Sequence, residues 1–205
     1  MKIYLLIMDR KKPAYYNFAE FGHSGTWTKE HEKCDVCGFH DQHLTEPLLA
    51  EWRPGSDVIG DFSWCSYCII VKDRVRRFMV NQQFEAEFGR VEIVKPFNIC
   101  RRKKRVAWPY VGPQLHWLRP TERIHLDIAR SDVEVSSDCA ICGRLDYSFK
   151  MDGLVIAESE VKCRKMFRIE EFGNSSATFI SQEALDSLIG QEFTNFWYRE
   201  AGVTA

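Results

Sequence analysis

Two short cysteine segments constrain this chain more than any other part of its sequence. The segment Cys34–Gly38 reads CDVCG, and the segment Cys139–Gly143 reads CAICG. A Cys-x-x-Cys turn directs two sulfurs at one ion, and the glycine can adopt the positive φ with which such a turn reverses. Two turns supply four thiolates, which form a closed tetrahedral set. The sequence therefore predicts two zinc knuckles that share one structural Zn²⁺, with the ligands Cys34, Cys37, Cys139 and Cys142.

A third pair, Cys65 and Cys68, competes for this zinc and lies closer to the first segment in sequence. Sequence distance decides little, because closing the longer loop costs only about 1 kcal/mol more, whereas structural zinc contributes on the order of 10 kcal/mol. No glycine follows Cys68, and the pair runs directly into the apolar residues 69–71. If that strand begins early, the two thiols point to opposite faces of the sheet. We therefore assign the zinc to the two glycine-terminated segments, and whether Cys65 and Cys68 join or replace these ligands stays open.

Other histidines and cysteines are predicted to lie outside the zinc site. His40 and His43 follow Cys37 too closely for a finger-like Cys-Cys-His-His site, so we expect polar loop residues there. Cys100 and Cys163 stand alone in the sequence, and we expect a small buried side chain at each.

The first residues bear on the compartment. The apolar run 2–8 is too short for the core of a secretory signal, and no small-residue cleavage site follows it. No stretch has the length needed to span a bilayer. We therefore expect a cytoplasmic, reduced protein whose eight cysteines bind metal rather than form disulfides.

Composition and patterning predict an α+β fold with a mainly antiparallel sheet and a few short helices. Apolar residues make up 45% of the 205-residue chain, which is enough for a packed core. We expect a single domain over 1–205, or two lobes (1–130 and 131–205) joined by the shared zinc site. Strands are predicted over 2–8, 69–71, 88–94, 123–128, 154–157, 166–169, 178–180 and 193–198. Helices are predicted over 72–87 and 182–189, and the proline-rich region 106–120 is predicted to be irregular and on the surface.

A basic run, Arg101–Arg105, is the strongest local concentration of charge. Such a run is most often a solvated loop, but aromatic residues follow it closely, and aromatic and arginine side chains are typical anchors of protein interfaces. Binding of nucleic acid is the third interpretation of this run, after a solvated loop and a protein interface, because the net charge of the chain is −1 and supplies no global attraction to phosphate. The candidate partner-binding residues are Arg101, Arg102, Arg105, Trp108, Tyr110 and Trp117.

Catalytic signatures are lacking in the sequence. It contains no HExxH, no GxSxG and no Walker loop. A catalytic zinc needs an open coordination position, and four thiolates leave none. We therefore expect a protein without enzymatic activity.

The two CxxCG units, one near the N-terminus and one about two thirds along the chain, resemble the double-CXXCG motif family. The segment 51–62 and the tail from Phe167 onward add a weaker similarity. Members of that family are immunity proteins for swarming-inhibition toxins of bacteria. The resemblance implies a cytoplasmic protein that neutralises a cognate protein toxin by binding it, and it implies no catalytic residues. The additional pair Cys65 and Cys68 departs from the family pattern.

Two other functions fit parts of the sequence. A zinc-ribbon-like nucleic-acid-binding protein would use the basic run and the aromatic residues after it. A thiol oxidoreductase would use a CxxC pair at the N-terminus of a helix, and neither CxxCG unit precedes an obvious helix.

Overall fold

The computed structural model describes residues 1–7, 19–21, 28–30, 34–38, 42–44, 46–65, 68–96, 103–148, 152–173 and 177–205. The strands are β1 (Lys2–Ile7), β2 (Ala19–Phe21), β3 (Thr28–Glu30), β4 (Gln42–Leu44), β5 (Leu48–Trp52), β6 (Phe62–Cys65), β7 (Cys68–Lys72), β8 (Ala86–Ile93), β9 (Leu115–Pro120), β10 (Arg123–Ile124), β11 (Val135–Asp138), β12 (Leu145–Tyr147), β13 (Leu154–Ile156), β14 (Met166–Ile169), β15 (Phe179–Ser181) and β16 (Trp197–Thr204). The helices are α1 (Asp73–Asn81), α2 (Glu158–Val161), α3 (Gln182–Ile189) and a 3₁₀ turn at Glu170–Phe172.

The strands form two six-stranded sheets and two small two-stranded sheets. The first large sheet has the order β10-β14-β15-β1-β16-β13, and the second has the order β2-β5-β8-β9-β7-β6. Three of the strand pairs are parallel, namely β10–β14, β13–β16 and β5–β8. The predicted α+β class is confirmed, but the sheets are mixed rather than mainly antiparallel. The parallel pairs arise because whole hairpins and helices intervene between the paired strands and return the chain in the same direction.

The strand β1 shows how the two large sheets share the core. Its side chains alternate between the two faces of the first sheet, as expected for an extended strand. Tyr4 and Leu6 belong to a cluster that also contains Phe62 and Leu118 of the second sheet. Ile3 and Leu5 join a second cluster on the opposite face, with Phe167 and Phe179 among its members. A third cluster covers the other face of the second sheet. The main core therefore lies between the two sheets, with α1 and α3 contributing to it.

The helix predicted over 182–189 is confirmed as α3. Ser181 accepts a hydrogen bond from the backbone N–H of Ala184 and is the N-cap of α3, and Gly190 follows its last residue. Helix α1 is shorter than predicted, since it ends at Asn81 and Gln83 then takes a φ of +55° that turns the chain toward β8.

The prediction of an irregular surface segment over 106–120 is wrong for its second half. β9 lies in the middle of the second sheet, between β7 and β8, and Leu115 and Leu118 are buried. The prolines do not prevent this, because Pro109 and Pro113 precede the strand and Pro120 ends it.

The first predicted strand after this region, 123–128, is much shorter in the structure. β10 covers only Arg123–Ile124, although Ile124 and Leu126 are both buried. The backbone N–H of Leu126 donates to the Glu171 carboxylate rather than to a neighbouring strand. The division of the chain into lobes stays a prediction, and β1 pairs with β15 and β16 of the C-terminal part.

Candidate metal centre

Each CxxCG segment lies at the tip of a two-stranded antiparallel sheet. β3 and β4 pair on either side of the first segment, with Lys29 opposite His43. β11 and β12 pair on either side of the second, with Asp138 opposite Leu145. A hairpin holds its two ends together, so each tip presents its two cysteines as one unit.

The two tips have the same local geometry. The N–H of Gly38 donates to the carbonyl of Cys34 at 2.8 Å, and the N–H of Gly143 donates to the carbonyl of Cys139 at 2.8 Å. The two glycines have φ values of +73° and +68°, a region that other L-residues enter only at a steric cost. The predicted positive φ at both glycines is therefore confirmed.

The four thiols converge on one point. The Sγ atoms of Cys34 and Cys139 are 3.8 Å apart, and those of Cys37 and Cys142 are 3.7 Å apart. All four sulfurs lie within 4.8 Å of one another. These separations are far longer than a disulfide bond, which is about 2 Å. They are close to the edge of a tetrahedron with metal–sulfur bonds of 2.3 Å, which is about 3.8 Å. The four cysteines could therefore hold a metal ion.

Backbone hydrogen bonds prepare two of the sulfurs to be thiolates. The N–H groups of Cys142 and Ile141 lower the pKa of Cys139 to about 6. In the same way, the N–H groups of Cys37 and Val36 lower the pKa of Cys34. This is the effect expected when amides donate to the charged form of a group.

The pKa of Cys142 shifts in the opposite direction. The N–H of Arg144 favours its thiolate, but the hydrogen bond with Cys139 and burial outweigh this and raise the pKa of Cys142 to about 12. Four thiolates repel one another at this distance, so the protein alone cannot ionise all of them, and a cation at the centre removes that obstacle.

The second tip is fixed to the body of the protein by Arg144. Its Nε donates to Asp146 at 2.8 Å, and its carbonyl accepts from the N–H of Cys139 at 2.9 Å. The guanidinium lies against Gly173, at a place where any β-carbon would collide with it. The cysteine tip is therefore positioned by packing as well as by its own hairpin.

The strand that contains residues 69–71 begins at Cys68, so Cys65 and Cys68 do not lie on one strand and their thiols do not point to opposite faces. The two residues lie directly opposite each other at the end of the β6–β7 hairpin, and both belong to the third core cluster. Their side chains therefore share one face, because directly opposed residues of two paired strands point to the same side of the sheet. The assignment itself is unchanged, since the group of thiols found among the described residues contains neither of them.

The other potential ligands are placed as follows. His40 and Cys100 lie outside the described residues, and only the backbone of His43 is described, in β4. Cys163 is exposed, contrary to the prediction of a buried side chain. It occupies a turn after α2 with a φ of +65°, where its side chain has no core to enter.

Some of the predicted partner-binding residues form a continuous surface. Arg101 and Arg102 lie outside the described residues. Trp108 is 51% exposed, and the Lys95 ammonium lies 5.8 Å from the centre of its ring. Tyr110 is half-buried and its hydroxyl donates to the carbonyl of Pro113 at 3.0 Å.

A groove of about 560 Å³ runs beside Trp108 and Tyr110 and reaches Arg90 and Glu92 of β8. These last two residues form an ion pair of 2.8 Å. We call this feature the aromatic groove. It combines one large exposed ring with charges of both signs.

Trp117 does not belong to this surface. Its side chain is 8% exposed and is part of the third core cluster. The indole lies over Gly89, the residue opposite it in β8, where a β-carbon would collide with the ring. Arg105 is half-buried beside the turn at residues 53–57. In this turn, the N–H of Gly55 donates to the carbonyl of Lys104.

No protein-family model and no curated protein matches the chain. Among the described residues, no helix is both long and apolar enough to cross a membrane. The four-cysteine cluster is therefore the feature from which a function must be argued.

Proposed function

We propose that this protein is a non-enzymatic immunity protein that binds a cognate bacterial toxin, and that one structural Zn²⁺ held by the four-cysteine cluster fixes its fold. The observation that carries the proposal is the meeting of the two CxxCG turns from segments about 100 residues apart. All the donors are sulfurs, and a set of four thiolates is the typical ligand set of structural zinc.

Zinc in this position would join two small hairpins. Cys34 and Cys37 would come from the tip between β3 and β4, and Cys139 and Cys142 from the tip between β11 and β12. Since all four protein ligands are supplied, no position is left for water or substrate. This supports a structural rather than a catalytic metal.

The metal part of the proposal is tested by elemental analysis of the purified chain. We expect one zinc per chain in the wild type and less than about a tenth of that in Cys139→Ser, because losing one thiolate weakens such a site severely. Cys163→Ser is the matched control, since it removes an exposed thiol outside the cluster and should retain the metal. A wild-type protein that neither contains zinc nor takes it up after reduction would contradict the proposal.

The aromatic groove supports the partner-binding part. Trp108 offers a large exposed ring with a cation beside it, which is the kind of anchor that dominates protein interfaces. Val111 is 91% exposed and does not line the groove, so it provides a control at a neighbouring surface position.

The immunity role is tested with the product of the neighbouring toxin gene. Co-expression of this chain should restore growth, and titration calorimetry should give a complex. We expect Trp108→Ala to weaken binding by about 2 kcal/mol, roughly 30-fold, whereas Val111→Ala should change it by less than about threefold. Failure to rescue growth from any adjacent gene product would reject the role.

Nucleic-acid binding is a second candidate, favoured by the exposed Lys103 and Lys104 near Trp108. It would use phosphate neutralisation and base stacking. A salt titration separates the two, because binding through phosphates weakens steeply as salt rises. Binding to DNA or RNA that is lost on neutralising residues 101–105 would favour this candidate.

A further inference from the structure

The hairpin β6–β7 brings together a second pair of thiols, separate from the four-cysteine cluster. Cys65 and Cys68 are directly opposed in the register of the hairpin. The Cα atoms of opposed residues in an antiparallel pair are about 4.5–5.5 Å apart, and disulfides span about 4.4–6.8 Å. The backbone therefore already has the separation that a disulfide needs.

The side chains are also in contact. A hydrogen bond joins the two thiols, and together with burial it raises the pKa of Cys68, while the positive charge of Arg119 opposes this shift. Arg119 follows Leu118, which lies opposite Ile69, so it is next to Cys68 on the adjoining strand. We assign the first reaction with peroxide to Cys65, because it is slightly the more exposed of the two thiols, at 4% against 2%.

Burial explains why such a pair would react with each other and with little else. Cys65 is 4% exposed and Cys68 is 2% exposed, so bulky thiols and disulfides reach either sulfur only slowly. Hydrogen peroxide is hardly larger than water. The strand β6 is also the edge of its sheet, which leaves the end of the hairpin at the periphery of the fold.

We propose that Cys65 and Cys68 form a reversible disulfide in response to peroxide, which makes the end of the β6–β7 hairpin a two-electron redox site. The Cys65 thiolate attacks one oxygen of hydrogen peroxide, the O–O bond breaks, and Cys65 sulfenic acid and hydroxide form. The Cys68 sulfur then attacks the sulfur of Cys65, the S–O bond breaks, and the hydroxyl leaves as water with the proton of Cys68. Two thiols lose two electrons, and one peroxide becomes two waters once the hydroxide is protonated. A dithiol reductant reverses the reaction by exchange.

Peptide mapping of the full-length, zinc-loaded protein tests this site. Cleavage before aspartates releases residues 61–72, which contain Cys65 and Cys68 and no other cysteine. After peroxide treatment and alkylation in denaturant, we expect this peptide to lose both alkyl groups and to be about 2 Da lighter than the dithiol. Dithiothreitol should return it to the doubly alkylated form. A peptide that stays doubly alkylated when the exposed Cys163 is already oxidised would overturn the proposal, as would a disulfide from either residue to a third cysteine.

Two variants test the order of attack. Cys68→Ser should leave a sulfenic acid on Cys65 that dimedone labels when it is added in denaturant, whereas Cys65→Ser should give at least fivefold less label on Cys68. Equal labelling would refute the assigned order. If neither variant folds, the wild-type peptide measurement still decides whether the disulfide forms. This result does not depend on the proposed immunity function, because neither thiol belongs to the four-cysteine cluster.

Discussion

The carboxylate of Asp61 provides a quantitative test of how the two large sheets are held together. Its side chain is 4% exposed. It accepts two hydrogen bonds from Arg74, each at 2.6 Å. It accepts two more from the N–H and hydroxyl of Thr194, at 2.8 and 2.6 Å. Thr194 lies in the loop before β16, so this one carboxylate connects the beginning of β6 in the second sheet to the first sheet.

These bonds make the stability of the protein depend on pH in a defined range. Burial disfavours the charge of Asp61, but the hydrogen bonds from Arg74 and Thr194 outweigh it and lower the pKa from 3.8 to about 2. Because the folded state holds the lower pKa, the stabilisation is complete above pH 4 and is lost as the pH falls through 2. A shift of nearly two pH units corresponds to about 2 kcal/mol, of which about half is lost by pH 3.

The assay is urea denaturation of the wild type and Asp61→Asn, followed by tryptophan fluorescence at pH 7 and pH 3. We expect the wild type to be more stable at pH 7 by at least about 2 kcal/mol, and this difference to shrink by about 1 kcal/mol at pH 3. Loss of metal in acid affects both proteins and cancels in the difference. Asp57→Asn, at an exposed position nearby, should show a small and constant difference. The reasoning is refuted if the gap between wild type and Asp61→Asn is the same at both values of pH.

Three further substitutions test local features of the fold. Gly143→Ala should weaken zinc binding, measured in a competition assay, through a backbone cost of about 1 kcal/mol. The cost comes from the φ of +68° alone, because the space around Gly143 is empty. Gly190→Ala is the control: no positive φ is required there and the nearest atoms are 3.9 Å away, so zinc binding should be unchanged. Gly89→Ala should destabilise the protein by about 1–3 kcal/mol in urea denaturation, since its β-carbon meets the Trp117 indole; unchanged stability would show that the ring moves freely. Ser181→Ala should cost about 1 kcal/mol in the same assay, because α3 loses its side-chain cap, and an unaltered midpoint would contradict the assigned cap.

The elements that could be predicted from sequence are those whose sequence pattern lies within a few consecutive residues. The apolar run of β1 and the cap at Ser181 followed by a glycine are properties of a few consecutive residues. The four-cysteine cluster belongs to the same class, because each CxxCG turn is complete in itself. The only non-local step was to assume that the two turns meet.

The elements that could not be predicted depend on what lies beside them. β9 contains few β-branched residues and follows two prolines, and it becomes a strand because β7 and β8 provide hydrogen-bond partners on both sides. The bulky Trp117 fits there because Gly89 is opposite. Phe193 was predicted to start the last strand, but it packs among the aromatic residues Phe62 and Phe78 instead, and β16 begins at Trp197. The faces of Cys65 and Cys68 depend on the pairing of β6 with β7, which periodicity along one strand cannot detect.

The position of β1 has a consequence for the time at which this chain becomes able to fold. β1 lies between β15 and β16, and its partners in β16 come about 190 residues later in the chain. At about 5–20 residues per second, a ribosome needs roughly 10–40 s to make that length. The other neighbour of β1, β15, also comes about 175 residues after it, so the first large sheet assembles only near the end of synthesis. A nascent chain stalled before Trp197 should therefore remain sensitive to protease in β1, and it should gain protection once residues 197–204 have left the exit tunnel.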